Sequence, residues 1–571
     1  MAQTLSDSVT HRRLFLAGAG LLAATAFAPR SWAQAGADLR LPGGPSTRPL
    51  TDAFPGKRGM ILQRTRPPLL ETPMSVFDQG VFTPNDQFFV RWHWANVPTE
   101  IDATTFKLNV RGRVGRPLSL SLADILAMPR VQMAAVNQCS GNSRGLFQPR
   151  VPGAQWAHGA MGNAKWLGVS LRRVLDLAGV QPGAVAVRFN GLDQPVVDGA
   201  PDFSKSLSID HARDGEVMIA FAMNGAQLPL LNGFPIRLIV PGWFSTYWVK
   251  MLSDIEVLGA PDDSYWMAKA YKIPDTPLAN VAPGAKDFPT VPINRMVPRS
   301  WITSLADGTS VAYQPHLPVG GIAMGGDAGV ARVDLSSDGG PLLGARSPGP
   351  RRGQVQLPPL RRDGRRRRKG PRRSNGPVHE YSRRQPGPDA ELESRRLHAR
   401  LCRDDPRGAV MSDRQKTPSY GRALLQLGAM AGGFVIAISL GHHAFVESLK
   451  PPPAPPAPAA APPSAVSGGG FTLTSTSIAL PDDDPPYPAG PGADLMNGNC
   501  TACHSASMAL TQPALSKAQW TSTVEKMRDT YKAAIAEKDI RAIVEYLTKV
   551  SAQAKGDGLS APTSDAGGAS G

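Results

Sequence analysis

Cysteine is scarce in this chain: 571 residues hold only Cys139, Cys402, Cys500 and Cys503. So few thiols build no disulfide framework, and a single close pair cannot supply the roughly four ligands of a structural zinc site. Internal repeats are absent. Long apolar runs are also lacking. Ala17 to Ala28 is too short for a bilayer core of about 30 Å, and Ala423 to Leu440 is borderline. Acidic residues are outnumbered, 46 to 62, which gives a net charge of +16. Such a balance raises the question of a nucleic-acid partner, but the excess is local. Between Gly339 and Val410 there are 19 Lys and Arg against 7 Asp and Glu, in a stretch rich in Pro, Gly and Arg. The charge marks a segment rather than a binding face, and no nucleic-acid partner is predicted.

Two of the thiols stand in Cys500-Thr-Ala-Cys503-His504. C-x-x-C-H is the attachment signature of a c-type haem, with a redox or zinc C-x-x-C as the competing reading. Cys500 and Cys503 would add across the vinyl groups, and His504 would be an axial iron ligand. Met527 is the candidate sixth ligand, because 23 residues of chain separate it from His504 and can cross to the opposite haem face. Met508 is only four residues away and would lie on the same side. Trp520 and Tyr546 are expected to pack on the haem. A helical pattern runs from Asp539 to Lys549.

Covalent haem attachment takes place outside the cytoplasm, and the N-terminus agrees. Arg12-Arg13, the apolar run and the small-residue site Ala33-Gln-Ala35 read as a twin-arginine signal over residues 1–35. That route exports proteins already folded around a cofactor, so a second cofactor is expected upstream of residue 411. A periplasmic location follows.

The length allows two or three domains. From Phe77 to Gly259 the chain reads as compact α+β. Strand patterns at Phe106 to Val110, Ala186 to Phe189 and Ile236 to Val240 alternate with helical ones at Leu122 to Ala127 and Leu171 to Ala178. A β segment follows at Trp301 to Ser304, Gly320 to Ala323 and Ala331 to Leu335, and Ala331 to Gly340 should open a hairpin. Residues 341–410 are then expected to be disordered, as an out-of-frame reading of a GC-rich β domain or as a basic linker. Met411 looks like the start of another protein. An apolar helix, either an anchor or a signal, and a Pro/Ala linker fill 411–470. The haem domain is assigned to 471–553 and a disordered tail to 554–571.

Cys139 lies in Val136-Asn-Gln-Cys139-Ser-Gly-Asn-Ser-Arg144-Gly. A lone thiol is a buried core residue or a ligand, and the surrounding Gly, Ser and Asn favour a loop that approaches something closely. This loop resembles the molybdenum-ligand loop of the sulfite oxidase family. Further resemblance lies in Phe89-Val-Arg91-Trp-His93, Gly191-Leu-Asp193, Gly233-Phe-Pro-Ile-Arg237-Leu-Ile-Val-Pro241-Gly242 and Trp248-Val-Lys250, in order over about 77–340. The branch most similar is the bacterial sulfite dehydrogenases (sulfite:cytochrome c oxidoreductases), whose catalytic subunit partners a small cytochrome c. The part from Met411 resembles that cytochrome subunit, joined here through a frameshift.

The resemblance implies an α+β molybdopterin-binding domain over 36–265, a partial immunoglobulin-like dimerisation domain over 266–340, and a small all-α cytochrome. It implies a molybdopterin-bound molybdenum with Cys139 as ligand, and Phe89, His93, Asp193, Arg237, Trp248 and Lys250 around the pterin. Arg91, Arg144 and Tyr271 are the catalytic candidates: Arg presents a planar fork to an oxyanion, and Tyr271 donates a hydrogen bond at the metal or to substrate. Trp156 is a candidate pocket wall. Asn232 departs from the His of animal members. Sulfite would be the substrate and a soluble cytochrome c the acceptor. The halves would correspond to subunits of a natural heterodimer, with possible membrane anchoring through 423–440. Two other readings remain open here: an S-oxide reductase, and a bare electron carrier with a defective first half.

Overall fold

A computed structural model describes residues 36–357 and 463–553, apart from 277–278, 280, 283–284, 286, 306–308, 313–317, 327, 337–342, 347–353 and 483. The signal segment 1–35, the apolar run 423–440 and the tail 554–571 lie outside these residues.

The helical segments arise where apolar spacing demands them. Leu171–Ala178 buries Leu171, Val174, Leu175 and Ala178, one face at helical spacing, and Gly179 ends it in the left-handed region at φ 67°. Each large apolar side chain so buried contributes about 1.5–3 kcal/mol. Leu122–Ala127 starts from a capping box in which Ser121 and Asp124 satisfy each other's backbone N–H groups.

Three five-stranded sheets build the main body. The first runs in chain order from Gly36–Asp38 to Val90–Arg91. The second places Met218–Met223 between Met161–Ser170 on one side and Ala226–Gln227 and Arg237–Ile239 on the other, with Arg130–Gln138 beyond Met161–Ser170. The third includes a parallel pair, Asp254–Leu258 with Lys107–Gly112. Helix Leu171–Ala178 contacts strands of both the second and third sheets. Met218–Met223 is buried at all six positions, as befits a strand covered on both faces.

The β segment seats Trp301 against Phe77 and Met161 of the main body. Arg299–Ile302, Val319–Met324 and Gln354–Leu357 form one antiparallel sheet, and Val333–Ser336 pairs with Leu343–Arg346. The expectation that the fold ends at Gly340 is therefore corrected. The edge of Val319–Met324 presents unpaired backbone groups, and Gln354–Leu357 satisfies them. Residues 358–462 lie outside the described set.

A second correction concerns the boundary at 471. Ala465–Gly468 and Phe471–Thr474 form a hairpin, and Thr476–Ser477 pairs with Glu100–Ile101 of the main body. Leu473 is fully buried in the main core. The helical unit with its own core starts later, near Tyr487. Its helices Ala493–Cys500, Ser507–Leu510, Lys517–Asp529 and Glu537–Gln553 enclose a separate core around Met496, Trp520, Val524, Ile543 and Leu547. Trp520 Nε1 donates to Ser551 Oγ at 3.2 Å, and Tyr546 Oη donates to the Pro488 carbonyl at 2.7 Å. Among the described residues, no helix is long and apolar enough to cross a membrane.

Candidate active site

Strand Arg130–Gln138 delivers Cys139 to its end. The Cys139 N–H donates to Ala160 at 2.9 Å, continuing the ladder, and Asn142 N–H turns back to the Cys139 carbonyl at 3.0 Å. Gly141 N–H points at the Cys139 sulfur, 3.4 Å away. The side chain is 8% exposed and lines a cleft of about 630 Å³.

Residues far apart in sequence converge on this cleft: Phe89, Arg91, His93, Asp193, Arg237, Trp248, Lys250 and Tyr271 all line it. Gly191 lets the Asp193 turn in, since a Cβ there would collide with the Lys250 carbonyl. Gly233, at φ 110°, turns the chain ahead of Arg237. Asn232, the departure from the animal pattern, is buried and organises the floor. Its Oδ1 accepts from Lys57 Nζ at 2.6 Å, its Nδ2 donates to the Phe89 carbonyl at 3.0 Å, and its carbonyl accepts from Arg237 Nη1 at 2.8 Å. Arg237 Nη2 donates to the Trp248 carbonyl at 3.1 Å, and the guanidinium sits over the rings of Trp166 and Trp248. Lys250 Nζ donates to the Arg91 carbonyl and stands 3.9 Å from the Trp92 ring centre.

Tyr271 Oη meets Arg91 Nη2 at 3.0 Å and His93 Nε2 at 2.6 Å. His93 is stacked on Phe203 at 3.5 Å between ring centres. Burial, with the charges of Arg91 and Lys250, holds its pKa well below the ordinary value, so the imidazole is neutral. Burial raises Tyr271, which keeps its proton. Arg91 can only donate, so the Tyr271 oxygen accepts from it, and His93 Nε2 is the second hydrogen-bond partner of the hydroxyl. Burial raises the Asp193 carboxyl against the pull of Lys250, and burial together with Arg237 pushes Lys250 well down.

Arg91 Nη1, Trp92 Nε1, Asn137 Nδ2, Arg237 Nε and Thr246 Oγ1 are buried and have no hydrogen-bond partner among the described residues. Every one belongs to a residue lining the cleft. A buried polar group left unpaired costs about 1–3 kcal/mol. Four of the five are N–H groups that can only donate, so the cleft fits an acceptor-rich, anionic ligand. With the free thiol of Cys139 lining it, that description suits a pterin cofactor carrying a metal.

Arg144 lies beside Gly141 and Gly153, with Nη1 3.4 Å from the Pro152 carbonyl, outside the cleft lining. Trp156 is 1% exposed and packs behind Gly141 rather than forming a wall. Sequence reasoning passed over Asn137, Thr246, Phe203 and Lys57. Asn137 and Thr246 sit inside or beside the motifs and could have been found there. Phe203 and Lys57 carry no local signal.

The helical unit contributes at the cleft's outer side. Tyr531 joins a cluster with Trp94, Tyr265 and Trp266, and Trp266 in turn contacts Tyr271 at 6.0 Å between rings. Arg66 clasps the C-x-x-C-H loop. Its guanidinium donates to the Thr501 carbonyl, and its backbone N–H donates to Ser505 Oγ at 2.7 Å. His504 Nδ1 lies 3.2 Å from the Ser505 carbonyl, and burial with Arg64 nearby lowers its pKa to about 4. Cys500 and Cys503 are half-buried free thiols, and Met527 packs against the helical core. Met508 lines instead a hollow shared with Gln63, Leu69 and Gln512.

Comparison with known proteins agrees with the cleft. The family described as "Oxidoreductase molybdopterin binding domain" matches residues 94–266. Sulfite oxidase of Rattus norvegicus mitochondria is 35% identical over 288 residues, covering 48% of this chain and 50% of that protein. Sulfite oxidase of Arabidopsis thaliana is 30% identical over 287 residues, covering 47% of this chain and 71% of that protein. The crystal structure of the sulfane dehydrogenase SoxCD from Paracoccus pantotrophus aligns with a TM-score of 0.42 at 25% identity, over 51% of this chain and 70% of that one. The chain spans about half the length of the mammalian relatives it matches. With its molybdopterin-type cleft closed around Cys139, the chain belongs to the sulfite oxidase family of molybdopterin-binding oxidoreductases.

Proposed function

We propose that this chain is an exported, periplasmic sulfite dehydrogenase. It oxidises sulfite at a molybdopterin-bound molybdenum and passes the electrons singly through a haem c to an external cytochrome c. Sulfite and one water become sulfate, two protons and two electrons. The observation that carries this reading is the ring of unpartnered donors around Cys139.

Bound molybdenum supplies two-electron oxygen-atom transfer. The chain's own groups do the rest. Cys139 Sγ would be the metal ligand, and Asn137, Thr246, Arg237 and Lys250, which line the cleft, would hold the cofactor's acceptors. Arg91 Nη1 is free to take a substrate oxygen, while Nη2 stays on Tyr271. Sulfite is a dianion near neutral pH, and a fixed guanidinium fork orients it at little entropic cost. The hydrogen bond with neutral His93 Nε2 holds Tyr271 Oη in place. On the helical unit, Cys500, Cys503, His504 and Met527 would hold the haem. The proximity of Tyr531 to Trp266 puts that unit against the cleft's aromatic side.

The test is metal and haem content of purified protein together with steady-state assays. Equimolar molybdenum and haem, with sulfite-dependent reduction of ferricytochrome c, support the reading. Turnover of methionine sulfoxide with a reduced dye, and none with sulfite, would replace it by a reductase.

A further inference from the structure

Residues 465–478 precede the helical unit in sequence, yet they are built into the main body. Their hairpin turns at Gly469 and Gly470, at φ 55° and 79°, as a two-residue turn requires. The turn seats on helix Leu122–Ala127. A Cβ on Gly468 would come within 2.7 Å of Leu126 Cβ, and Arg130 Nη2 donates to the Gly468 carbonyl at 2.7 Å.

Along the second strand the side chains alternate as one buried face. Phe471 lies against Phe221, 5.1 Å between ring centres, and Leu473 is fully buried in the main core. Gln227 reads the backbone of Thr474 at both ends: its Oε1 accepts from the N–H at 2.9 Å, and its Nε2 faces the carbonyl at 3.4 Å. The chain then adds to the edge Glu100–Ile101, and Ile478 N–H donates to the Thr99 carbonyl at 2.8 Å.

The face of the helical unit differs. It keeps its own core, and its bonds to the body are mostly polar: Arg66 to the loop at Thr501 and Ser505, Arg150 Nη2 to the Thr511 carbonyl at 3.2 Å, and Gln512 to the Gly153 backbone. Tyr531 is its aromatic contact. These are part-buried hydrogen bonds, each worth about 0.5–1.5 kcal/mol net, whereas the added strand also packs Phe471 and Leu473 against the main core.

We propose that residues 465–478 are a docking arm. The surface around Leu126, Arg130, Phe221 and Gln227 accepts this extended segment. The arm, rather than the face of the helical unit, holds the two halves together even when the peptide between them is broken. It acts the same way whatever prosthetic group the helical unit carries.

Two versions of the full chain test this, each with one inserted protease site. The first site lies within Pro451 to Pro463, upstream of the arm. The second lies between Pro481 and Asp482, downstream of it. After cleavage, gel filtration at micromolar protein should show co-elution for the first and release of the helical fragment for the second. Gln227→Ala, which removes the contacts of this side chain with Thr474 and Thr476, should weaken association of the upstream-cleaved halves at least fivefold. Phe471→Ser with Leu473→Ser should separate them. Separation after the upstream cut with the arm intact overturns the proposal. So does retention of the helical fragment after the downstream cut, and so does unchanged association in Gln227→Ala.

Discussion

The hydroxyl of Tyr271 lies 2.6 Å from Nε2 of His93, which burial and two neighbouring cations keep neutral. Together with the hydrogen bond from Arg91 Nη2, this contact fixes the hydroxyl from two sides. Tyr271→Phe keeps the ring but strands Arg91 Nη2 and His93 Nε2, an unpairing worth about 1–3 kcal/mol. A fall in kcat/KM for sulfite of about tenfold to a hundredfold is expected, with folding intact. Steady-state kinetics with ferricytochrome c measure it, and an unchanged rate would reduce the hydroxyl to packing.

Cys139→Ser removes the thiol that lines the cleft. On the proposed function, sulfite oxidation should disappear while the haem spectrum stays as it was, since Cys500 and Met527 pack against a separate core. Substantial residual turnover would take Cys139 out of the site.

Arg91 and Arg144 are to be compared directly. Arg91 has a free buried Nη1 in the cleft, and Arg144 lies outside its lining. A charge-assisted bond is worth about 1.5–3 kcal/mol, so Arg91→Gln should raise the sulfite KM about tenfold or more. Arg144→Gln should raise it less, acting at longer range through its charge. The reverse order would move Arg144 into contact with substrate.

Met527→Leu should leave the haem attached through Cys500 and Cys503 but abolish the weak sulfur–iron absorption band and lower the midpoint potential. Met508→Leu should do neither, because Met508 faces the hollow against Gln63 and Leu69. Survival of the band in Met527→Leu would require another sixth ligand.

His158 predicts an acid limb of stability. Its Nδ1 lies 2.8 Å from Ser143 Oγ, and burial with the nearby Arg299 charge lowers its pKa to about 4. The unfolded chain takes up a proton below the ordinary 6.5 while the folded one does not. Stability is therefore lost as pH falls from 6.5 towards 4, by at most about 1.4 kcal/mol per pH unit. Melting temperatures across that window should decline less steeply in His158→Gln than in the parent.

Chemistry that depends on neighbours in sequence was legible without coordinates. The Cys139 loop and the Cys500-to-His504 motif each lie within a few residues, and helices Leu122–Ala127 and Leu171–Ala178 follow from apolar spacing alone. Motif by motif, resemblance also picked out Arg91, Asp193, Arg237 and Lys250. Their assembly into one cleft was a tertiary outcome, because strands from different sheets must close before the side chains meet. The role of Asn232 as floor of that cleft depends on Lys57, 175 positions away. The arm is the clearest case. Phe471 and Leu473 alternate like any strand, but nothing local says that Phe471 will meet Phe221 or that Leu473 will enter the main core. Gln354–Leu357 likewise becomes a strand by meeting an open edge. Periodicity reports which face of a segment will be buried, and only the folded chain supplies the surface that buries it.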